Sequence, residues 1–237
     1  MEIISTLTQL PAELFIKITD YLGNRDKLNL IECSKELYRF RNLLRFHDMI
    51  DLSCIIKYEY THHFTNVCVN LGEKTTPEDL THIPKTVTHL IFGWYFNQPL
   101  GTSIPIGVRD LTFGWCFNQP LESSIPRDVR YLTFGYNFNQ PLGESLPDTI
   151  THLRFGAQFN QPLGTSIPRD VRYLTFGEHF DQPLGTSIPF GVVHIAFGWR
   201  FDQELEIPSS VKTLKMLMYY DRQIPDHIEG IEWYDGN

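Results

Sequence analysis

An α+β chain is the predicted fold: a small three-helix domain over residues 1–48, followed by a parallel β solenoid of 21-residue repeats with irregular convex limbs. Three observations predict it. A 21-residue unit recurs six times in strict register, its apolar positions alternate as a strand requires, and residues 10–45 lack the unit and space their apolar side chains for helices instead.

In the first segment Leu10, Leu14, Ile18 and Tyr21 or Leu22 are spaced along one helical stripe, and Leu28, Ile31, Leu37, Phe40 and Leu44 continue the pattern. Pro11 suits a first-turn position, Gly23-Asn24 ends the first helix, Asp26 is placed to cap the second, and Ser34 with Lys35 and Glu36 opens the third. Leu10-Pro11-x-Glu13-Leu14, Asp26-x-Leu28 and Cys33-Ser34-Lys35-Glu36-Leu37 together resemble an F-box. That resemblance implies a surface for the Skp-type adaptor of an SCF-type (Skp, cullin, F-box) ubiquitin ligase, with Leu10, Pro11, Leu14, Ile18, Leu28 and Leu37 as the apolar contacts. The family's late Trp is absent, and Tyr38 or Phe40 stands nearest its place. A helical cap on the solenoid would also need an apolar stripe, and that alternative stays open.

Residues 49–79 read as a linker and N-terminal cap. Phe64, Val67 and Val69 match the repeat's apolar spacing loosely, so the coil is expected to begin near residue 60.

The repeat proper, at residues 80–220, places apolar residues at offsets 0, 3 and 5, as in Val108, Leu111 and Phe113; this is the Leu-x-x-Leu-x-Leu spacing of leucine-rich repeats. Alternation sends Leu111 and Phe113 inward and Asp110 and Thr112 outward, one parallel strand per coil. Glycine follows each strand, at Gly93, Gly114, Gly135, Gly156, Gly177 and Gly198, and is expected where the chain bends. Next, Phe96, Phe117, Phe138, Phe159, Phe180 and Phe201 predict a stacked aromatic spine, and Asn97 through Asn160, giving way to Asp181 and Asp202, predict a hydrogen-bonding ladder. Recurrent Gln-Pro and Ile-Pro pairs hold the return limb extended and exclude a long helix there. A lone unit buries too little to fold, so the coils must stack; residues 221–237, with Ile228, Ile231 and Trp233, close the end as a divergent cap.

The unit resembles the FNIP family of leucine-rich-repeat-like repeats, through pairs such as Phe96-Asn97 with Ile104-Pro105 and Phe117-Asn118 with Ile125-Pro126. It departs from that pattern at Asp181 and Asp202, at Leu146 in place of Ile, and at Glu204 in place of Pro. The resemblance implies a protein-interaction scaffold and brings no catalytic residues. Joined to the F-box-like segment, it implies a receptor that holds a target protein near a recruited ubiquitin-conjugating enzyme, acting by proximity. A free-standing scaffold or decoy whose helices only cap the solenoid is the alternative.

Candidate target contacts are the outward positions: His89, Tyr131, His152 and Tyr173 at offset 2, Arg154 at offset 4, and Trp94, Trp115, Tyr136 and Trp199 at offset 7. Exposed Trp and Tyr are typical interface anchors, although rings at offset 7 would equally shield the glycine turn.

A net charge of −8 argues against nucleic acid or an anionic membrane as the main partner. No apolar run reaches the length of a membrane span or signal peptide, and Cys33, Cys54, Cys68 and Cys116 lack metal-site spacing, so reduced thiols in a cytoplasmic or nuclear protein are expected, in the host cell for a viral chain. His62-His63 is taken as a strand pair pointing to opposite faces, which disfavours a metal. The glycines come singly at one offset, unlike a phosphate cradle, and no acid–base pair or triad is evident; no enzyme, cofactor or metal is expected, and the chain should be monomeric outside its complex.

Overall fold

The structure, a computed structural model, describes residues 7, 9–57, 61–70 and 77–235. Ten parallel strands form one sheet in chain order: β1 (Ile50–Asp51), β2 (Asn66–Val69), β3 (His89–Phe92), β4 (Asp110–Thr112), β5 (Tyr131–Thr133), β6 (His152–Arg154), β7 (Tyr173–Thr175), β8 (His194–Ala196), β9 (Thr213–Leu217) and β10 (Gly230–Tyr234). Register keeps like with like, so His89, Asp110, Tyr131, His152, Tyr173 and His194 share one row and Leu90, Leu111, Leu132, Leu153, Leu174 and Ile195 the next. The last coils shorten: His194 pairs with Thr213, 19 residues on, and Lys215 with Glu232, 17 on. No helix interrupts the described return limbs between β3 and β10.

Two aromatic files fill the coil. Phe92, Phe113, Phe134, Phe155, Phe176 and Phe197 stack at 5.3–5.7 Å, one per strand. The expected spine from Phe96 to Phe201 runs beside it at 6.0–6.2 Å, and each coil joins the two files at 3.9–4.2 Å. Such offset, near-parallel rings add to the burial of each Phe.

The asparagine ladder connects one coil to the next rather than closing its own turn. Asn118 Oδ1 accepts the backbone N–H of Asn139 at 2.9 Å and the Gln140 amide at 3.1 Å, and the same pair of bonds repeats along the array. Only an acceptor is required, so Asp181 serves equally, taking the Asp202 N–H at 3.0 Å. At the end Arg222 donates to Asp202 at 2.9 Å in place of a further coil, and that hydrogen bond holds the Asp202 carboxyl below its usual range.

The glycines after each strand are required by close approach and not by a left-handed turn. A β-carbon on Gly135 would lie 1.7 Å from the Gly114 carbonyl oxygen, and one on Gly156 1.8 Å from that of Gly135. Backbones in this column touch directly. A second glycine column, unanticipated from the spacing, has φ near +50°: Gly101, Gly143, Gly164 and Gly185, with Glu122 holding the same conformation at φ 49°.

The N-terminal segment forms α1 (Ala12–Thr19), α2 (Asn24–Glu32) and α3 (Lys35–Tyr38). Pro11 is the N-cap of α1, and Ser34 caps α3 by accepting the Glu36 N–H. Gly23-Asn24 begins α2 instead of ending α1. Asp26 does not cap α2: Asp48, remote in sequence, accepts the Asn24 N–H at 2.9 Å and its carbonyl takes the Asn24 amide at 2.7 Å. Lys27, almost fully enclosed, donates to the Arg45 carbonyl at 2.7 Å. These three bonds tie α2 to the stretch that leads into β1. The sheet therefore starts well before residue 60, with a bridge from Phe46 to Phe64, whose rings stack at 4.2 Å. Residues 58–60, where the coil was expected to begin, lie outside the described ones. Two short helices, α4 (Leu52–Ile55) and α5 (Pro77–Leu80), lie before and after β2. One continuous core runs from Phe15 to Met216.

Candidate interaction surface

Alternate strand residues face away from the core, and the parallel register lines these side chains into rows across the open face. In the offset-2 row the rings touch: Tyr131 on His152 at 4.4 Å, His152 on Tyr173 at 4.4 Å and Tyr173 on His194 at 4.6 Å. Upstream, His89 Nε2 meets Asp110 at 2.9 Å, and downstream His194 Nδ1 hydrogen-bonds Thr213 Oγ1. The row is thus locked at both ends. Burial within the stack pushes His152 below the usual imidazole range, while Asp110 pulls it the other way. Arg154, exposed, rises from the same face two residues beyond His152.

Along the turn side, Trp94 stacks on Trp115 at 4.7 Å and Trp115 on Tyr136 at 4.0 Å. Trp94 is 55% and Trp115 38% exposed. Ala157 and Glu178 interrupt this run, so Trp199 stands apart from it, with the Arg200 guanidinium 5.4 Å from its ring. The nine expected contacts therefore divide into the row of His89, Tyr131, His152 and Tyr173, the run of Trp94, Trp115 and Tyr136, Arg154 by itself at offset 4, and the separate Trp199 ring. A shallow hollow on the face is floored by Ala196, the smallest residue of its row, between Tyr173, His194, Lys215 and Glu232.

Three arginines went unmarked by the sequence reading. Arg109, Arg130 and Arg172 are exposed, each one residue before the offset-2 row, and Arg130 N–H bonds the Arg109 carbonyl at 2.8 Å. Their recurrence at one offset in three coils was the available signal.

At the helical end the expected adaptor contacts separate. α1 turns Phe15 and Thr19 inward, where Phe15 stacks on Phe40 at 4.5 Å, and leaves Leu14 47%, Ile18 46% and Tyr21 92% exposed. Pro11 is exposed and Leu10 half-buried. Leu28 and Leu37, expected on the same surface, are enclosed at 8% and 0%, as members of the continuous core.

Among the described residues no three His, Cys, Asp or Glu side chains lie placed to share a metal ion, and no helix is long and apolar enough to cross a membrane. All four cysteines are free thiols. His62 and His63 belong to a 3-10 turn, Thr61–His63, not a strand, with ring centroids 4.0 Å apart. His63 takes a hydrogen bond from Arg45 at 2.8 Å, and burial first, then the His62 and Arg45 charges, lower its pKa to about 4.

The sequence model of the FNIP Repeat family matches residues 80–116, 96–137, 117–158, 138–179 and 180–217, more than half the chain. An FNIP repeat-containing protein of Acanthamoeba polyphaga mimivirus is 33% identical over 94 residues, covering 40% of this chain and 23% of that protein. The crystal structure of CroV588, described as a novel circular LRR protein, superposes with a TM-score of 0.60 at 29% identity, over 72% of this chain and 29% of its own. The matched segments thus span between a fifth and a third of the length of these two proteins.

Proposed function

This chain belongs to the FNIP repeat family, and from that premise we propose that it is a non-catalytic protein-interaction subunit of an SCF-type ubiquitin ligase. In this reading the solenoid's open face holds a target protein, while α1 presents an apolar surface to a Skp-type adaptor. The supporting observation is the division of α1: its core-facing side is satisfied by Phe15 and Thr19, yet Leu14 and Ile18 stay half-exposed and Tyr21 almost fully exposed. Adaptor contact would fall to Leu14, Ile18, Leu10 and Pro11, with Leu28 and Leu37 supporting them from within. Catalysis belongs to the recruited enzyme, and the receptor supplies effective concentration. The setting is intracellular, the host cell for a viral chain, as the mimivirus relative favours.

A second reading, a scaffold or decoy whose helices only cap the solenoid, is favoured by the clamp of Asn24 on Asp48 and Lys27 on Arg45, which ties α2 to the first coil. Co-expression with a Skp-type adaptor decides between the two. Wild type should co-purify with the adaptor, and Leu14→Ala with Ile18→Ala should lose it at unchanged thermal stability, since both side chains are half-exposed. Full retention by the double variant, or no adaptor with wild type, leaves the cap reading standing.

A further inference from the structure

Resting on the target-holding role given above to the open face, we propose that its middle is a docking strip for an acidic, extended segment of the partner protein. Carboxylates would be held by Arg109, Arg130, Arg154 and Arg172 over the stacked floor of Tyr131, His152, Tyr173 and His194. The four guanidinium groups form no ion pair among the described residues, whereas Arg169 pairs with Asp148 at 2.9 Å, Lys212 with Glu229 at 2.9 Å, and Lys215 with Glu232. A chain of net charge −8 gains solubility from its carboxylates, so four exposed, unneutralised arginines in adjoining coils are a local reversal of its charge. Asp110 is the acidic side chain within the strip, and His89 already engages it at 2.9 Å. Asp128 and Asp170 lie on the return limb ahead of Arg130 and Arg172 without pairing to them.

Geometry sets the length of the guest. Neighbouring strands lie about 4.8 Å apart, so Arg109 and Arg172, three coils apart, span about 14 Å, which an extended peptide covers in about four residues. Guanidinium groups bind carboxylates through paired N–H donors, and the ring stack beneath is already rigid, so little ordering cost is left for binding. A nucleic acid would need more cations than four against the protein's overall negative charge.

The probe is a fluorescein-labelled dodecapeptide alternating Glu and Ser, titrated with the full chain by anisotropy at low ionic strength, beside the same peptide with Gln for Glu and an oligothymidylate of equal charge. The acidic peptide should bind about tenfold tighter than its Gln counterpart, weaken with salt, and lose about tenfold in Arg130→Glu with Arg172→Glu. Lys85→Glu with Arg127→Glu makes the same charge change on the return limb and should leave binding intact. Equal losses in the two double variants, or tighter binding of the oligothymidylate, overturn the strip. Equal binding of the Gln peptide overturns the acidic chemistry while leaving the face a binding surface, and binding of neither peptide overturns both.

Discussion

Helical segment and repeat array bury aromatic residues in opposite ways. Phe138 meets Phe117 at 6.0 Å, Phe159 at 6.1 Å and Phe134 at 3.9 Å, and each of those rings meets its own counterparts in turn. Among the described residues Phe15 meets only the Phe40 ring, at 4.5 Å, in a core assembled from contacts that occur once. In the array, one side chain's surroundings are rewritten at every coil; in the helices, each side chain has a private environment. Cooperativity should follow that division, with damage spreading along the columns and staying local among the helices.

Truncating the central ring tests this most severely. Phe138→Ala should cost about 3–5 kcal/mol and remove amide-exchange protection from coils on both sides, because two neighbouring rings lose their stacking partner. Phe15→Ala should cost a similar amount, but with protection lost only over the helices and β1. If Phe15→Ala also abolishes the array's unfolding transition, the two regions are one cooperative unit, held by Asp48 and Lys27.

Gly135→Ala comes next, at about 1–3 kcal/mol, because its β-carbon would sit 1.7 Å from the Gly114 carbonyl oxygen and the coils must part. Denaturant midpoints measure it, and an unchanged midpoint would mean that the glycine column is not in contact.

A smaller effect lies at the junction. His63 has its folded pKa lowered to about 4 from 6.5, so the unfolded chain takes up a proton first and stability falls as pH drops from about 6.5 toward 4. His63→Gln should flatten that part of the melting temperature against pH, with Gln accepting from Arg45. An unaltered slope would place the sensitivity elsewhere.

Smallest, and opposite in sign, Glu122→Gly should stabilise the chain by about 0.4–1 kcal/mol, since Glu122 holds φ 49° where Gly101, Gly143, Gly164 and Gly185 stand in other coils. A lower melting temperature would mean that the side chain has an offsetting contact.

Periodicity made the array legible from residues alone. Six aligned copies identify which offsets face inward, that Phe96 through Phe201 must stack, that Asn97 through Asn160 form a ladder, and that His89, Tyr131, His152 and Tyr173 share an outward row, because each contact joins a residue to its own copy in the next coil. The helices carry no such redundancy. Both sides of α1 are apolar, and only packing against Phe40 and the first coil decides that Phe15 goes in while Leu14 and Ile18 stay out, and that Leu28 and Leu37 are consumed by the core. Distance in sequence hid the rest: Asp48 caps α2 in place of Asp26, and β1 extends the sheet behind β2. The glycine column after each strand was visible as a pattern, yet its cause, backbone against backbone, exists only once coils lie at strand spacing. The unpaired state of Arg109, Arg130, Arg154 and Arg172 is likewise a property of the folded surface, since pairing depends on where carboxylates come to rest.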